Sequence, residues 1–188
     1  CQIIGSDDVL IADGHHRYAI SRSYRDEVRA AGHANSDAEY TLIFINELVE
    51  DQLSIDAIHR LYDGVDFETL KQDLSGCFEF SEAASPTAET LAQMVETGRL
   101  VLLSPTGEAW WMTPKENAFE GIRALDGAWL EHALTGSKAE VTYQHGLDEM
   151  LAEVPNRSGG VLIRPTSQEE ITRTAREGLL MPPKSTFF

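Results

Sequence analysis

Residues 99–113, RLVLLSPTGEAWWMT, carry the clearest local signal for the fold. Two short apolar runs, 99–103 and 109–113, flank a segment that contains Pro105 and Gly107. Glycine readily adopts the backbone angles that a tight turn requires, so this pattern predicts a β-hairpin. The two strands of a hairpin pair antiparallel, and the protein is therefore expected to contain an antiparallel pair of strands.

The rest of the chain mixes predicted strands and helices without a strict alternation. Helices are predicted over 15–31, 67–74, 85–98, 125–134, 147–154 and 167–178. Further strands are predicted over 9–12, 39–46, 54–62, 78–80, 139–143 and 160–164, although 54–62 is also compatible with a short helix. The run EYTLIFIN at 39–46 is expected to be a central strand, because its apolar residues follow one another continuously.

These elements predict an α+β protein, or a mixed α/β one, in which helices flank a mixed β-sheet. Residues 1–188 are expected to form a single region, and a sub-boundary would fall near 83–85. The chain begins at Cys1 without a methionine and ends on Phe187 and Phe188. We therefore expect it to be a fragment of a longer polypeptide, truncated at both ends.

The composition excludes several classes of protein. The chain has 31 acidic and 15 basic residues, with a formal net charge of −16, whereas nucleic acids and anionic membranes require a basic surface. Its two cysteines, Cys1 and Cys77, cannot form a disulfide framework. No signal peptide or apolar run long enough to span a bilayer is seen, so we expect a cytoplasmic protein without nucleic-acid or membrane partners.

The motif DGHHR, Asp13 to Arg17, stands between the predicted strand 9–12 and the first predicted helix. The first turn of a helix carries unpaired N–H groups and a partial positive charge, both of which attract anions. Gly14 allows close approach of the backbone to a ligand, and Arg17 can donate two parallel hydrogen bonds. The motif therefore predicts a site for an anion such as phosphate.

The remaining residues of the motif leave alternatives open. His15 and His16 point in different directions, because successive residues of a helix lie about 100° apart. Asp13 can bind Mg²⁺, orient a histidine or accept a proton from a substrate hydroxyl. The alternative is that Asp13 only caps the helix and that His15 to Arg17 form a solvated first turn.

Three stretches together resemble the bacterial and archaeal family catalogued as domain of unknown function 1015. They are IADGHHRY at 11–18, AIHRL at 57–61 and LMPPKSTFF at 180–188, and they stand in the order expected for that family. The DGHHR motif is also similar to the phosphate-binding motif of the ParB and sulfiredoxin superfamily, which includes a kinase that phosphorylates free serine.

This resemblance implies that Asp13, His15 and His16 are catalytic and that Gly14 and Arg17 hold the phosphates of a nucleotide. The implied cofactor is ATP, ADP or another nucleotide with Mg²⁺, which Asp13 would bind. The kinase also uses an acidic residue upstream of this motif. Nothing in the present sequence can be matched to that residue, so the identity of the catalytic base stays open.

Two further sets of residues are predicted to bind the phosphate or nucleotide. His59 and Arg60 form a second basic pair in an acidic chain. The alternative interpretation is that they are a surface pair on an edge strand. Lys184, Ser185 and Thr186 follow two prolines and offer one positive charge and two hydroxyl donors. The alternative interpretation is that this segment is a structural tail that docks on the sheet.

The favoured hypothesis is a kinase or other phosphotransferase that acts on a small hydroxylated metabolite such as serine. Phosphoryl transfer depends mainly on positioning and charge neutralisation, which this set of residues offers. One alternative is a non-catalytic nucleotide-sensing module, which needs the same phosphate site but no base. The other is a small-molecule phosphatase in which His15 or His16 acts as the nucleophile.

Overall fold

A computed structural model describes residues 9, 11, 14–45, 55–179, 181 and 184 of the chain. The helices in this part are α1 (His15–Ala30), α2 (Phe67–Leu74), α3 (Ala88–Thr97), α4 (Asp126–Ala133), α5 (Leu147–Glu153) and α6 (Gln168–Arg176). The strands are β1 (Ile58–Asp63), β2 (Phe78–Ala83), β3 (Leu100–Leu103), β4 (Ala109–Pro114), β5 (Glu140–His145) and β6 (Gly159–Leu162). Short 3₁₀ helices occur at Asp37–Glu39 and Val154–Asn156.

The strands form one sheet in the order β2-β4-β3-β6-β1-β5, and this sheet with its helices confirms the α+β class. The predicted hairpin is confirmed, since Leu103 pairs with Ala109 on either side of a turn in which Gly107 has a φ of 89°. The sequence indicates a mixed sheet, whereas all the described pairings are antiparallel. A connection that contains a helix can return the chain in either direction, so the order of elements does not fix strand polarity.

Helices cover both faces of the sheet. Side chains alternate along β1, so that Leu61 packs in one apolar cluster and Tyr62 in the other. Leu130 of α4 lies in the cluster on the Tyr62 face, whereas Met94 of α3 and Met150 of α5 lie on the Leu61 face. The same alternation directs Arg60 towards the Tyr62 face and His59 towards the opposite one.

Side-chain caps explain where α2 and α3 begin. The carboxylate of Asp66 accepts a hydrogen bond of 2.7 Å from the amide of Thr69, which lacks an acceptor within the helix. Thr87 and Thr90 form a capping box at the start of α3, in which the amide of Thr87 donates to Oγ1 of Thr90 at 2.9 Å. The start predicted for this helix at 85 is wrong, because the cap is Thr87 and the helix begins at Ala88.

The predicted helix at 15–31 is confirmed, but it lies at the surface of the described structure. No residue of α1 is buried, and the side chains of Ile20 and Tyr24 are exposed. Contact with the Asp37–Glu39 turn includes an ion pair in which Nε of Arg29 donates to Glu39 at 2.7 Å. The amino end of α1 is therefore open to solvent within the described residues.

The predicted central strand over 39–46 is wrong for the residues that the structure describes. Glu39 ends a 3₁₀ helix, and 40–45 belong to no strand, with Leu42 100% and Phe44 89% exposed. A continuous apolar run predicts burial, but burial requires a neighbouring surface, and none of the described strands pairs with this segment. Asn46 lies outside the described residues, as does half of the predicted strand 9–12, of which Val9 and Ile11 are described and belong to no strand.

None of the described helices combines the length and the apolar character needed to cross a lipid bilayer.

Candidate functional site

The amino end of α1 begins at a glycine in the left-handed region of backbone space. Gly14 has φ 86° and ψ 21°, which residues with a Cβ atom rarely adopt. No described side chain caps the helix at this end, and its first turn contains no acidic residue. The first amide groups of a helix have no acceptor within it and carry a partial positive charge, so this end of α1 is suited to an anion.

Arg17 folds back over Gly14. A Cβ atom placed on Gly14 would lie 3.0 Å from Nη2 and 3.2 Å from Nε of Arg17, closer than carbon normally comes to nitrogen. The absence of a side chain at Gly14 therefore leaves room for the planar guanidinium. The turn needs glycine for two separate reasons, its backbone conformation and the position of Arg17.

The two histidines of the motif are exposed on the first turn of α1. His15 and His16 occupy its first two positions, so their rings point in directions about 100° apart. Asp13, which the sequence predicts as a catalytic residue and as a Mg²⁺ ligand, lies outside the described residues. Among the residues that are described, no three His, Cys, Asp or Glu side chains are grouped so that they could hold a metal ion.

Arg60 is a buried cation on β1. It is 4% exposed, and it donates from Nη1 to the carbonyl of Ile58 and from Nη2 to the carbonyl of Lys184 at 3.2 Å. Its guanidinium carbon lies 4.7 Å from the centroid of the Tyr143 ring. Burial lowers the pKa of Arg60 because it removes water from the charged guanidinium. The acceptors described for Arg60 are neutral carbonyl groups, which compensate a buried positive charge less well than a carboxylate does.

Lys184 reaches Arg60 through its backbone. Its φ of 58° places a residue other than glycine in the left-handed region, at a cost of roughly 1–2 kcal/mol. The contact joins two positions 124 residues apart in sequence, and the side chain of Lys184 is exposed. The structure therefore brings together two of the predicted binding residues, whereas Ser185 and Thr186 lie outside its described part.

His59 lies on the opposite face of β1 from Arg60. It is 2% exposed, and its Nδ1 accepts a hydrogen bond of 3.2 Å from the amide of Ile163. Burial lowers the pKa of His59 to about 4, and the charge of Arg60 adds to this effect. The imidazole is therefore neutral at pH 7, so it contributes a structural contact to Ile163 and no positive charge for a phosphate group.

His59→Asn is expected to flatten the dependence of stability on pH below neutrality. The folded pKa of about 4 lies below the ordinary value of 6.5, so between these values the unfolded chain binds the extra proton. The free energy of unfolding of the wild type therefore falls as the pH drops from 6.5 to about 4, by up to about 3 kcal/mol from this one group.

Asparagine retains an acceptor for the amide of Ile163 but does not titrate. Urea unfolding of both proteins at a series of pH values measures the difference. In this pH range the wild type is expected to take up about one more proton on unfolding than the variant does. The free energy of unfolding therefore depends less steeply on pH in the variant. Identical slopes would show that the imidazole is not held neutral in the folded state.

The described hydrogen bonds and ion pairs do not join the two halves of the predicted site. Arg60 contacts Lys184, but neither is shown in contact with Gly14, His15 or His16. The predicted residues thus fall into two groups within the described structure. One is the exposed amino end of α1, and the other is the buried guanidinium on β1 with the carboxyl-terminal backbone beside it.

Residues that the sequence analysis did not identify lie beside Arg60. The carboxylate of Asp126, at the start of α4, accepts from the backbone amide of Arg164 at 2.7 Å and from its Nε at 3.1 Å. Gly127 follows, and a Cβ atom there would lie 3.0 Å from Nη2 of Arg60. The guanidinium carbon of Arg164 lies 5.5 Å from the centroid of the Trp129 ring. The only sequence signal for this cluster is a basic residue, Arg164, at the end of the predicted strand GVLIR.

A family model for a protein of unknown function, DUF1015, matches residues 2–128, which is more than half of the chain. The chain belongs to this family. The match confirms the family that the three sequence stretches indicate, and it includes both the DGHHR and the AIHRL stretches. No curated protein matches the sequence.

Solved structures share the fold at low sequence identity. A free serine kinase in complex with AMP is 14% identical with a TM-score of 0.52, and a variant of a free serine kinase in complex with ADP is 17% identical with a TM-score of 0.50. A conserved hypothetical protein from Pyrococcus furiosus is 16% identical with a TM-score of 0.51. The matches cover 94% of this chain, but only 65% of each kinase and 68% of the Pyrococcus protein.

Proposed function

We propose that this protein binds a nucleotide through its phosphate groups at the amino end of α1 and transfers a phosphoryl group to a small hydroxylated metabolite such as serine. The observation that carries the proposal is the uncapped turn at Gly14, with the guanidinium of Arg17 folded over it. The fold is shared with kinase structures that hold AMP and ADP, which supports a nucleotide as the ligand. The similarity of DGHHR to the phosphate-binding motif of the ParB and sulfiredoxin superfamily supports the same assignment.

The residues at this turn have distinct proposed roles. The amide groups of the first turn and the guanidinium of Arg17 bind phosphate oxygens, where two parallel donors hold an oxyanion more strongly than a single one. Gly14 permits the close approach of the phosphate to the backbone. His15 and His16 lie on the same turn, so one of the two can donate to a phosphate oxygen or to the leaving group.

The proposed transfer breaks the bond between the terminal phosphorus and the bridging oxygen of the nucleotide. A new bond forms between that phosphorus and the hydroxyl oxygen of the acceptor, and the shortened nucleotide leaves with the bridging oxygen. The hydroxyl proton goes to a base, for which Asp13 is the proposed residue. The expectation that Asp13 also holds Mg²⁺ stays a prediction, and no step above depends on a metal.

The second group of residues is proposed to complete the phosphate site. Lys184 supplies an exposed point charge, and Ser185 and Thr186 supply hydroxyl donors. Arg60, whose described hydrogen-bond acceptors are carbonyl groups, is proposed to stabilise bound negative charge from its buried position. His59 is neutral, which does not favour the phosphate contact predicted for it. Its hydrogen bond from the amide of Ile163 fits a structural role better.

Phosphorus NMR of the protein incubated with ATP, ADP or CTP tests the proposal. Each nucleotide is supplied with and without serine, and Arg17→Ala serves as the comparison. We expect a phosphomonoester signal to appear only when nucleotide and serine are both present, together with the shortened nucleotide. Arg17→Ala is expected to reduce the rate at which that signal grows.

Other outcomes would assign other functions. Nucleotide binding without turnover under all these conditions would contradict transfer and would favour a nucleotide-sensing module. Release of phosphate from phosphoserine in the absence of nucleotide, with a trappable phosphohistidine, would favour a phosphatase. Failure of all three nucleotides to bind would reject the proposal as a whole.

A further inference from the structure

At the amino end of α4, the buried guanidinium of Arg60 has no carboxylate among its described hydrogen-bond acceptors, and the carboxylates of Asp126 and Glu131 act on it only from farther away. Two guanidinium groups, those of Arg60 and Arg164, approach its first two residues, Asp126 and Gly127. The carboxylate of Asp126 pairs with Arg164, and the acceptors described for Arg60 are carbonyl groups. The positive end of the α4 dipole lies at the same place, and the side chain of Leu125 provides no cap.

A buried charge without a counter-ion is costly, and proteins retain such a group mainly where it has a function. This chain carries a formal net charge of −16, so carboxylates are abundant in it. Asp126 nevertheless pairs with Arg164, and none of the ion pairs in the described part of the chain includes Arg60. The described residues therefore leave Arg60 without a direct carboxylate partner.

A second, independent observation on α4 points to a missing acceptor. The indole Nε1 of Trp129 is buried, and no hydrogen-bond acceptor for it exists within the described residues. A buried indole N–H normally has a partner, because leaving it unpaired costs roughly 1–3 kcal/mol. The Trp129 ring lies beside Arg164 and stacks on Phe119, with ring centroids 4.9 Å apart. The unpaired donor is therefore close to the second guanidinium.

We propose that an oxyanion, the phosphate or carboxylate group of a small ligand, binds at the amino end of α4 beside Arg60 and Arg164. Arg164 is held by Asp126 through Nε and Nη2, and 23% of its side chain is exposed. Arg164 is therefore the part of the proposed site that solvent reaches. The indole N–H of Trp129 donates to the same ligand.

This site shares Arg60 with the proposed function but uses no residue of the turn at Gly14, and its existence does not depend on phosphoryl transfer. A nucleotide could bind at α1 with no ligand at α4, and the reverse is equally consistent with the geometry. The two sites can therefore be tested one at a time. If both are occupied together, the site at α4 is the place for the anionic group of the second substrate.

Titration of the arginine-labelled protein with inorganic phosphate and, separately, with acetate tests the proposal. Side-chain Nε–H signals of Arg60 and Arg164 are followed by NMR and assigned with single variants. Arg157, which pairs with Asp63 before the start of β6, serves as an internal reference, because Arg164 follows the other end of that strand. We expect saturable shifts at Arg60 and Arg164 with at least one of the two anions and none at Arg157. The same shifts are expected in Arg17→Ala, which distinguishes this site from the proposed nucleotide site.

Two variants separate ligand binding from structural effects. Arg164→Gln is expected to weaken binding of the anion at least about tenfold, whereas Arg157→Gln leaves it unchanged. Arg157→Gln is the matched control, because it removes another ion-paired arginine at the opposite end of β6. Trp129→Phe keeps an aromatic ring on Phe119 but removes the unpaired donor. It is expected to weaken binding of the anion while leaving the thermal stability of the ligand-free protein equal or higher.

The identity of the anion that binds defines the class of ligand. Saturation by phosphate alone indicates a phosphorylated ligand, and saturation by acetate indicates a carboxylate. Absence of saturable shifts with either anion would overturn the proposal. Binding that is unchanged in both Arg164→Gln and Trp129→Phe would overturn it as well, because the ligand would then lie elsewhere.

Discussion

Gly14→Ala is expected to weaken ADP binding at least about tenfold, a loss of roughly 1.4 kcal/mol or more. The new methyl group would lie 3.0 Å from Nη2 and 3.2 Å from Nε of Arg17, so the guanidinium must shift by a few tenths of an ångström from its position over the turn. The substitution also places alanine at a φ of 86°. Equilibrium dialysis with ADP measures the loss of affinity, and circular dichroism shows whether the helix persists.

Gly32→Ala is the matched control for this prediction. Gly32 lies just beyond the other end of α1 with a φ of 89°, so alanine suffers the same backbone strain there. A Cβ atom at Gly32 would meet nothing within 4 Å. We expect both variants to lose roughly 1 kcal/mol of local stability and only Gly14→Ala to lose ADP affinity. Equal loss of affinity in the two variants would show that strain in α1, and not the position of Arg17, determines binding.

Arg60→Ala is expected to lower the free energy of unfolding by about 3 kcal/mol and to expose the backbone at Lys184 to protease. Truncation of a large buried side chain leaves a cavity and costs roughly 2–5 kcal/mol. The carbonyl groups of Ile58 and Lys184 also lose their donor, and the contact with the Tyr143 ring is lost. Urea unfolding measures the first effect.

Limited digestion with trypsin measures the second effect, because trypsin cleaves after Lys184. In the wild type the carbonyl of the bond to be cut accepts a hydrogen bond from Arg60, and this contact protects it. Cleavage after Lys138, an exposed residue far from Arg60 in the sequence, serves as the reference in the same digest. We expect the ratio of cleavage after Lys184 to cleavage after Lys138 to rise in Arg60→Ala. An unchanged ratio would show that Arg60 does not hold the carboxyl-terminal segment.

The parts of the fold that depend on residues close together in the sequence can be predicted from the sequence alone. The boundaries of α2 are predicted to the residue, and the β3–β4 hairpin is confirmed, because a cap and a glycine turn act within a few positions. The strand predicted over 39–46 fails because its apolar pattern implies a partner that the described residues do not provide. A local pattern identifies an apolar segment, but only the tertiary structure shows whether another part of the chain packs on it.

The same division holds for the candidate site. The turn at Gly14 is readable because glycine, two histidines and arginine are consecutive in an acidic chain. The contact between Arg60 and Lys184 spans 124 positions, and that between Asp126 and Arg164 spans 38. Pairs at such separations leave no periodic signal in one sequence. The neutral state of His59 is equally hidden, since it depends on burial and on the amide of Ile163.

Calorimetric titration of ADP into the wild type, Arg17→Ala and Arg22→Ala tests the central claim most directly. Arg22 lies farther along the same exposed helix and controls for loss of one positive charge. We expect saturable binding to the wild type and to Arg22→Ala, and an affinity at least about tenfold weaker for Arg17→Ala, the scale of one charged hydrogen bond. Equal affinity of all three proteins for ADP would contradict the central claim.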